Sequence, residues 1–270
     1  MRSDDPVLGL LELLRRRPDW EPAIDRICAL HDARGGRALH ESQRHAQRYA
    51  QRRAAMVFDT VASRHRRPSR RMLPVLERFA QSPAATNLAA LAKQGPGDGW
   101  GLRPGEPEIM RGIAHGLTRY ATHHRLDEEA GVLAWATATA TIAGAPALDP
   151  YVGAVRGVDS VLFADLRVRS GGDGIKPDLR TRAALRFLGF DVPEGEPALL
   201  ALAAAVAAEL DQPLVVLDQL LWSVSDQSLP PAPRARPAPE PEPQPERVVD
   251  LRQRSRGSDH RRLKAELAGQ

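Results

Sequence analysis

Apolar residues recur every three to four positions through most of the chain, and no window alternates apolar with polar for long. The first period lines one face of an α-helix, whereas alternation would mark a strand. "PVLGLLELLRRR", residues 6–17, reads as a short amphipathic helix stopped by Pro18. Residues 20–32 read as another, with Ile24, Ile27 and Leu30 on one face. Residues 40–67 make a longer helical stretch, polar and basic in its first half, with Met56, Val57 and Val61 as a modest apolar stripe. Two helices are predicted from 72 to 94, broken near Ser82-Pro83, because proline suits a first helical turn and disrupts an interior one.

A loop rich in glycine and proline at 95–107 comes next, followed by helices over 107–123 and 127–143. Asp127, Glu128 and Glu129 open the second of these, where negative charge suits the helix dipole. Leu199, Leu202, Val206 and Leu210 define a further helix. After Asp211 and Pro213, the spacing of Leu214, Leu217, Leu220, Leu221 and Val224 defines the last. Beyond Asp226 the chain turns Pro-rich and charged, as in "LPPAPRARPAPEPEPQPERVVD", and cannot bury enough surface to fold. Three parts follow: a basic helical N-terminal extension (1–71), a helical domain (72–228) and a disordered Pro-rich tail (229–270) that would suit a protein partner. Whether the first 70 residues pack on the domain stays open.

Composition sharpens the fold class. Of the 270 residues 42% are apolar but only 4% aromatic, and alanine is abundant, so strand formers are scarce and an all-α helical bundle is expected. The single cysteine, Cys28, excludes an intrachain disulfide and a four-cysteine metal or iron–sulfur site, and reads as a small core residue. No apolar signal core opens the chain, and its greasiest run, "ALLALAAAVAAEL" at 198–210, is too short to span a bilayer. A cytoplasmic protein without a membrane partner is the expectation.

The formal net charge is only +4, yet lysine occurs only at Lys93, Lys176 and Lys264, so the positive charge is almost all arginine. Arginine suits bidentate phosphate contacts. It is also what a GC-rich genome yields without selection for function. Arg64, Arg66, Arg67, Arg70 and Arg71 follow one another with no acid among them. They read either as a solvated face or as a phosphate-backbone patch.

Familiar catalytic motifs are missing: no P-loop, no strand-borne G-x-G-x-x-G, no G-x-S-x-G and no H-E-x-x-H. His123 and His124 are adjacent, hence about 100° apart on a helix, and read as exposed helix-end residues with no shared ion. No metal or cofactor is expected. Of the tryptophans, Trp135 and Trp222 lie on apolar helices and read as core. Trp100, in a loop, reads as tucked onto the core or free to wedge against a base.

One stretch remains. After Asp149-Pro150, residues 150–154 are expected to form a short helix, Gly157 to turn with positive φ, and Asp159 or Ser160 to cap a second helix. Such a glycine hairpin would offer backbone amides to a phosphate, although a plain helical corner has the same outline. Asp178 stands three residues before Thr181, as a helix N-cap would. Arg182 and Arg186 share a helix face and Arg180 points elsewhere.

The order of these parts resembles the helix-hairpin-helix DNA glycosylase superfamily of base-excision repair. "VRGVDSVLFADL" (155–166) stands where that family has its hairpin, and "IKPDLRTRAALRFLGF" (175–190) where it has its catalytic-aspartate segment. "LDQLLWSVS" (217–225) looks like its closing helix. The resemblance spans 72–228, with the motifs confined to 150–190. It implies double-stranded DNA as partner and Asp178 as the catalytic carboxylate, activating water or stabilising a sugar cation after base flipping. It also implies DNA contacts from Arg156, Gly157, Ser160, Lys176, Arg180 and Arg182, and the charge run itself offers Arg64, Arg67, Arg70 and Arg71 as a second basic patch.

The chain departs from the family pattern at two positions. Asp159 replaces the second hairpin glycine, placing a carboxylate where a phosphate would sit. Val161 replaces the Schiff-base lysine, which leaves only a monofunctional N-glycosylase. The rival expectation is a non-catalytic helical module, its hairpin decayed, that binds DNA or a protein. A third is a structural helical protein whose tail recruits a partner. An enzyme would need Asp178 to open onto a base-sized pocket, and a decayed relative would have that pocket filled.

Overall fold

The computed structural model describes residues 12–64, 73–95 and 100–228, with side chains to 224. The described residues form one compact unit and are helical or irregular, without strands. After a helical turn at 12–15, ten α-helices follow in chain order. The first five are α1 (Trp20–Gln47), α2 (Arg53–Ser63), α3 (Leu73–Ala80), α4 (Leu88–Ala92) and α5 (Glu106–His123). The remainder are α6 (Glu128–Ala138), α7 (Ser160–Arg169), α8 (Leu179–Phe187), α9 (Glu196–Glu209) and α10 (Leu214–Ser228). Short 3-10 turns lie at Pro83–Ala85, Ala140–Ile142 and Pro146–Leu148.

Two apolar cores hold these helices. The middle of the chain, α2 to α7, closes around Phe58, Phe79, Trp100, Trp135 and Phe163. The first and last described helices meet in the second core, where Trp20, Ala23 and Ile27 of α1 pack with Leu185, Leu199, Val206, Leu217 and Leu221. So residues 12–64 do pack on the rest: α1 lies along α10, and α2 is buried on nearly every side. Cys28 sits at the edge of the second core, half-buried.

Where 20–32 and 40–67 read as separate helices, α1 runs unbroken through Gly35-Gly36 and the break falls at 48–52 instead. The two glycines weaken α1 intrinsically, but burial of Ala23, Ile27, Gly35, Ala38 and Ser42 along one face outweighs that preference. The break has its own cause. Gln51 takes φ +59, and its amide donates to Glu129 at 3.0 Å. The buried Arg53 pairs with the same Glu129 at 2.5 Å, drawing the chain sideways onto α6.

The expected short helix at 150–154 does not form. Residues 150–157 are a run of turns laid against α5. Asp149, 2% exposed, organises them by accepting from the amides of Tyr151, Val152 and Gly153 and from Trp135 Nε1. This side chain satisfies the amides that a helix would have left to the backbone. Close approach to α5 depends on Gly116, where an added Cβ would lie 2.1 Å from the Tyr151 carbonyl oxygen.

No single helix among the described residues is long and apolar enough to cross a membrane.

Candidate functional site

Of the expected helix, glycine turn and helix, the turn at Gly157 and the second helix form. Gly157 turns at φ +94 with its α-carbon against Ile109, so a side chain there would be strained and crowded. Asp159 then caps α7, accepting from the Leu162 amide at 2.9 Å. Its other oxygen pairs with the Arg64 guanidinium, which also donates to the Gly157 carbonyl at 2.7 Å. The negative charge of Asp159 is therefore opposed by an arginine 95 residues away in sequence. Arg156 is exposed on the turn. Ser160 is 8% exposed and donates to Glu196, so its hydroxyl faces inward. Arg67, Arg70 and Arg71 lie outside the described residues.

Asp178 caps α8, accepting from the Thr181 amide at 2.8 Å. The space beside it measures about 10 Å³ and is bounded by Lys176, Arg180, Asp218, Leu221 and Trp222. That is room for about one water, not for a nucleobase. Arg180 lies flat on Trp222, its guanidinium carbon 3.4 Å from the ring centroid, and Lys176 Nζ is 5.7 Å from the same ring. Arg182 is 8% exposed and donates to the Pro193 carbonyl, while Arg186 on the same face pairs with Glu194 at 3.0 Å. Among the arginines of α8, Arg182 is thus a structural tie to the 190s loop.

Between the two cores runs a seam of buried charge that joins α1, α2, α7 and α10. Arg169 Nη1 donates to Asp59 at 2.7 Å and to the Tyr49 hydroxyl at 2.9 Å, and Tyr49 donates in turn to Asp59. On its other side, Arg169 Nε lies 3.2 Å from Asp165, and Lys176 Nζ lies 3.6 Å from the same oxygen. Neither of these two is a well-aimed hydrogen bond, so the attraction is between charges. Burial alone would push the Asp165 carboxyl up; Arg169 and Lys176 outweigh it and hold the group below its usual range. Burial pushes Tyr49 up to about 12, opposed by Arg169 and reinforced by Asp59. Burial also raises Asp218, against the pull of Lys176. His45 is depressed to about 4, first by burial and then by Arg169.

Trp222 is the clearest departure from the sequence reading: expected in the core, it is 38% exposed. Trp135 and Trp100 are buried, the latter set edge-on against Phe58 and Phe79. His123 and His124 are exposed at the end of α5, with His123 Nδ1 at 2.5 Å from the Tyr151 hydroxyl. Among the described residues, no group of three or more His, Cys, Asp or Glu side chains is placed to hold a metal.

The sequence marked Lys176, Asp178 and Arg180, which the structure gathers around Trp222. It missed Asp165, Arg169 and Asp218, whose meeting depends on how α7 crosses α1 and α10. The only local signal was charged residues on the inward positions of apolar helices. No protein-family model matches the chain, and neither a curated protein nor a solved structure does.

Proposed function

We propose that the chain is a DNA-binding helical protein of the helix-hairpin-helix glycosylase type that holds duplex phosphates without base chemistry at Asp178. The observation that carries the DNA reading is Arg64. Its guanidinium sits on the Gly157 carbonyl and the Asp159 carboxylate, which places the first of the arginines that the sequence groups at 64–71 beside the turn. Had that stretch started far from the hairpin, a purely structural role would have been favoured. Arg64 also offsets the charge of Asp159, the main objection to a phosphate at this turn. Arg156 and the outermost amides of α7 would complete the grip.

The non-catalytic part of the reading is supported by the side chains around Asp178. The carboxylate caps α8 through the Thr181 amide, and the space beside it, bordered by Lys176, Arg180 and Trp222, measures only about 10 Å³. Duplexes carrying uracil, hypoxanthine or alkylated bases are expected to release no base above the rate without protein. Base release that disappears in Asp178→Asn would overturn the non-catalytic reading. For the DNA part, Arg156→Ala should weaken duplex binding and reduce the salt slope by about 1. An unchanged slope would remove this turn from the contact.

A further inference from the structure

The C-terminal half of α1 carries arginines that neither core nor hairpin uses. Arg37, Arg44 and Arg48 follow at intervals of seven and four residues, with Arg48 closing the helix. That spacing keeps them within about 40° of one another and makes one straight stripe about 16 Å long. Arg52 extends it past the helix end, its Nη2 donating to the Arg48 carbonyl at 2.5 Å. All four arginines are exposed, as are His40 and Gln47 beside them.

Little negative charge opposes them. Glu41 is the one acid between Arg34 and Arg52 in the sequence, and it pairs with Arg44 at 3.6 Å. Glu129, beside the end of α1, is taken by Arg53 and by the Gln51 amide. Arg44, Arg48 and Arg52 stand four residues apart, a spacing at which like charges repel. The helix dipole rewards cations in the last turn, but Arg37 lies about three turns before Arg48, beyond its reach. The fold therefore has no use for the whole stripe, whereas an external polyanion would be matched along its full length.

The make-up of the stripe selects among polyanions. Leu39 is exposed, but about 160° around the helix from Arg37, so no large apolar side chain of α1 joins the arginines. A membrane-binding helix needs an apolar face beside its cations, and a protein interface needs an apolar centre. Tyr49 is 5% exposed, with the Arg48 guanidinium 5.4 Å from its ring centre, so it offers the bases of a single strand no stacking surface. Guanidinium forks in a line suit backbone phosphates, which a duplex presents without its bases being read.

We propose that the α1 stripe is a second surface for duplex DNA, holding its phosphates through Arg37, Arg44, Arg48 and Arg52. Arg52 and Arg64 flank opposite ends of α2, eleven residues long, which sets the stripe apart from the hairpin. The stripe does not depend on the hairpin reading above.

A chain carrying Arg64→Ala and Arg156→Ala isolates the stripe. Its probe is a labelled duplex of about 11 base pairs, one helical turn and longer than the stripe. Fluorescence anisotropy should show binding whose log–log dependence on salt has a slope of about −3 to −4. Arg37→Gln, Arg44→Gln and Arg48→Gln should each reduce that slope by about 1, and together lower affinity about tenfold or more at low salt. Glutamine suits an exposed helix position as well as arginine does, so the triple variant should melt no earlier than its parent.

Absence of duplex binding by the isolating variant at the lowest salt would overturn the proposal, as would a triple variant that binds like its parent. In either case the hairpin reading keeps its own test, the dependence of the wild-type chain on Arg64 and Arg156. Poly-glutamate displacing the duplex as readily as unlabelled duplex does, at equal charge concentration, would assign the stripe to an acidic protein instead. Tighter binding to phosphatidylserine vesicles than to the duplex would assign it to a membrane, and either result would overturn the proposal.

Discussion

Asp178 and Asp159 behave alike in this protein: each stands just before a helix and accepts from the amide three residues on. Caps of this kind are legible from sequence because donor and acceptor are neighbours in the chain. Removing one should be felt as stability. Asp178→Ala is expected to cost about 1 kcal/mol, and Asp178→Asn markedly less, since asparagine caps nearly as well. Urea denaturation of the three proteins checks this. An alanine variant as stable as wild type would mean that the carboxylate is not held as a cap. Trp222 was not legible in the same way. It sits in an apolar run, and its exposure depends on how α10 meets α1, where Arg34, nearly 190 residues away, donates to the neighbouring Ser223 carbonyl.

At the scale of elements, most helices follow from apolar spacing and proline, as at α5, α6, α9 and α10. The turn at 150–157 did not, because Asp149 draws three amides away from helical pairing. Nor did the continuity of α1 across Gly35-Gly36, which rests on burial against α10. Two glycine substitutions separate these effects. Gly116→Ala drives a Cβ into the Tyr151 carbonyl oxygen and should cost about 2 kcal/mol by displacing the turn. Gly36→Ala meets nothing within 4 Å on an exposed helix face and should stabilise by about 0.5–1 kcal/mol. Opposite signs in one denaturation series are expected. Destabilisation by both would contradict the placement of Gly36.

For the whole molecule, the sequence conveyed an all-α chain but not its division into two cores, because the second core joins α1 to helices more than 150 residues later. The seam between them places Asp165 against two buried cations, Arg169 and Lys176. Asp165→Asn leaves both without their shared partner and should destabilise by about 3 kcal/mol, measured by denaturation. A cost below that of an ordinary surface substitution would show that the seam carries no stability. His45 at the same seam gives a pH dependence. Burial, then Arg169, Lys176 and Arg48, depress its folded value to about 4, while Asp165 opposes them. The unfolded chain therefore takes up the proton first. The contribution of His45 to stability is full above about pH 6.5 and falls by about 3 kcal/mol as pH drops to 4. His45→Gln should flatten thermal melting across that window, and an unchanged pH profile would contradict the assignment.

The measurement that bears most directly on the function is the affinity of the full chain for a plain DNA duplex as a function of salt. A hairpin grip on about three phosphates should lower affinity some 10- to 50-fold between about 50 and 200 mM monovalent salt. Arg64→Ala and Arg156→Ala should each flatten that dependence. Absence of binding at the lowest salt, or binding indifferent to salt and to both arginines, would contradict a phosphate-holding role.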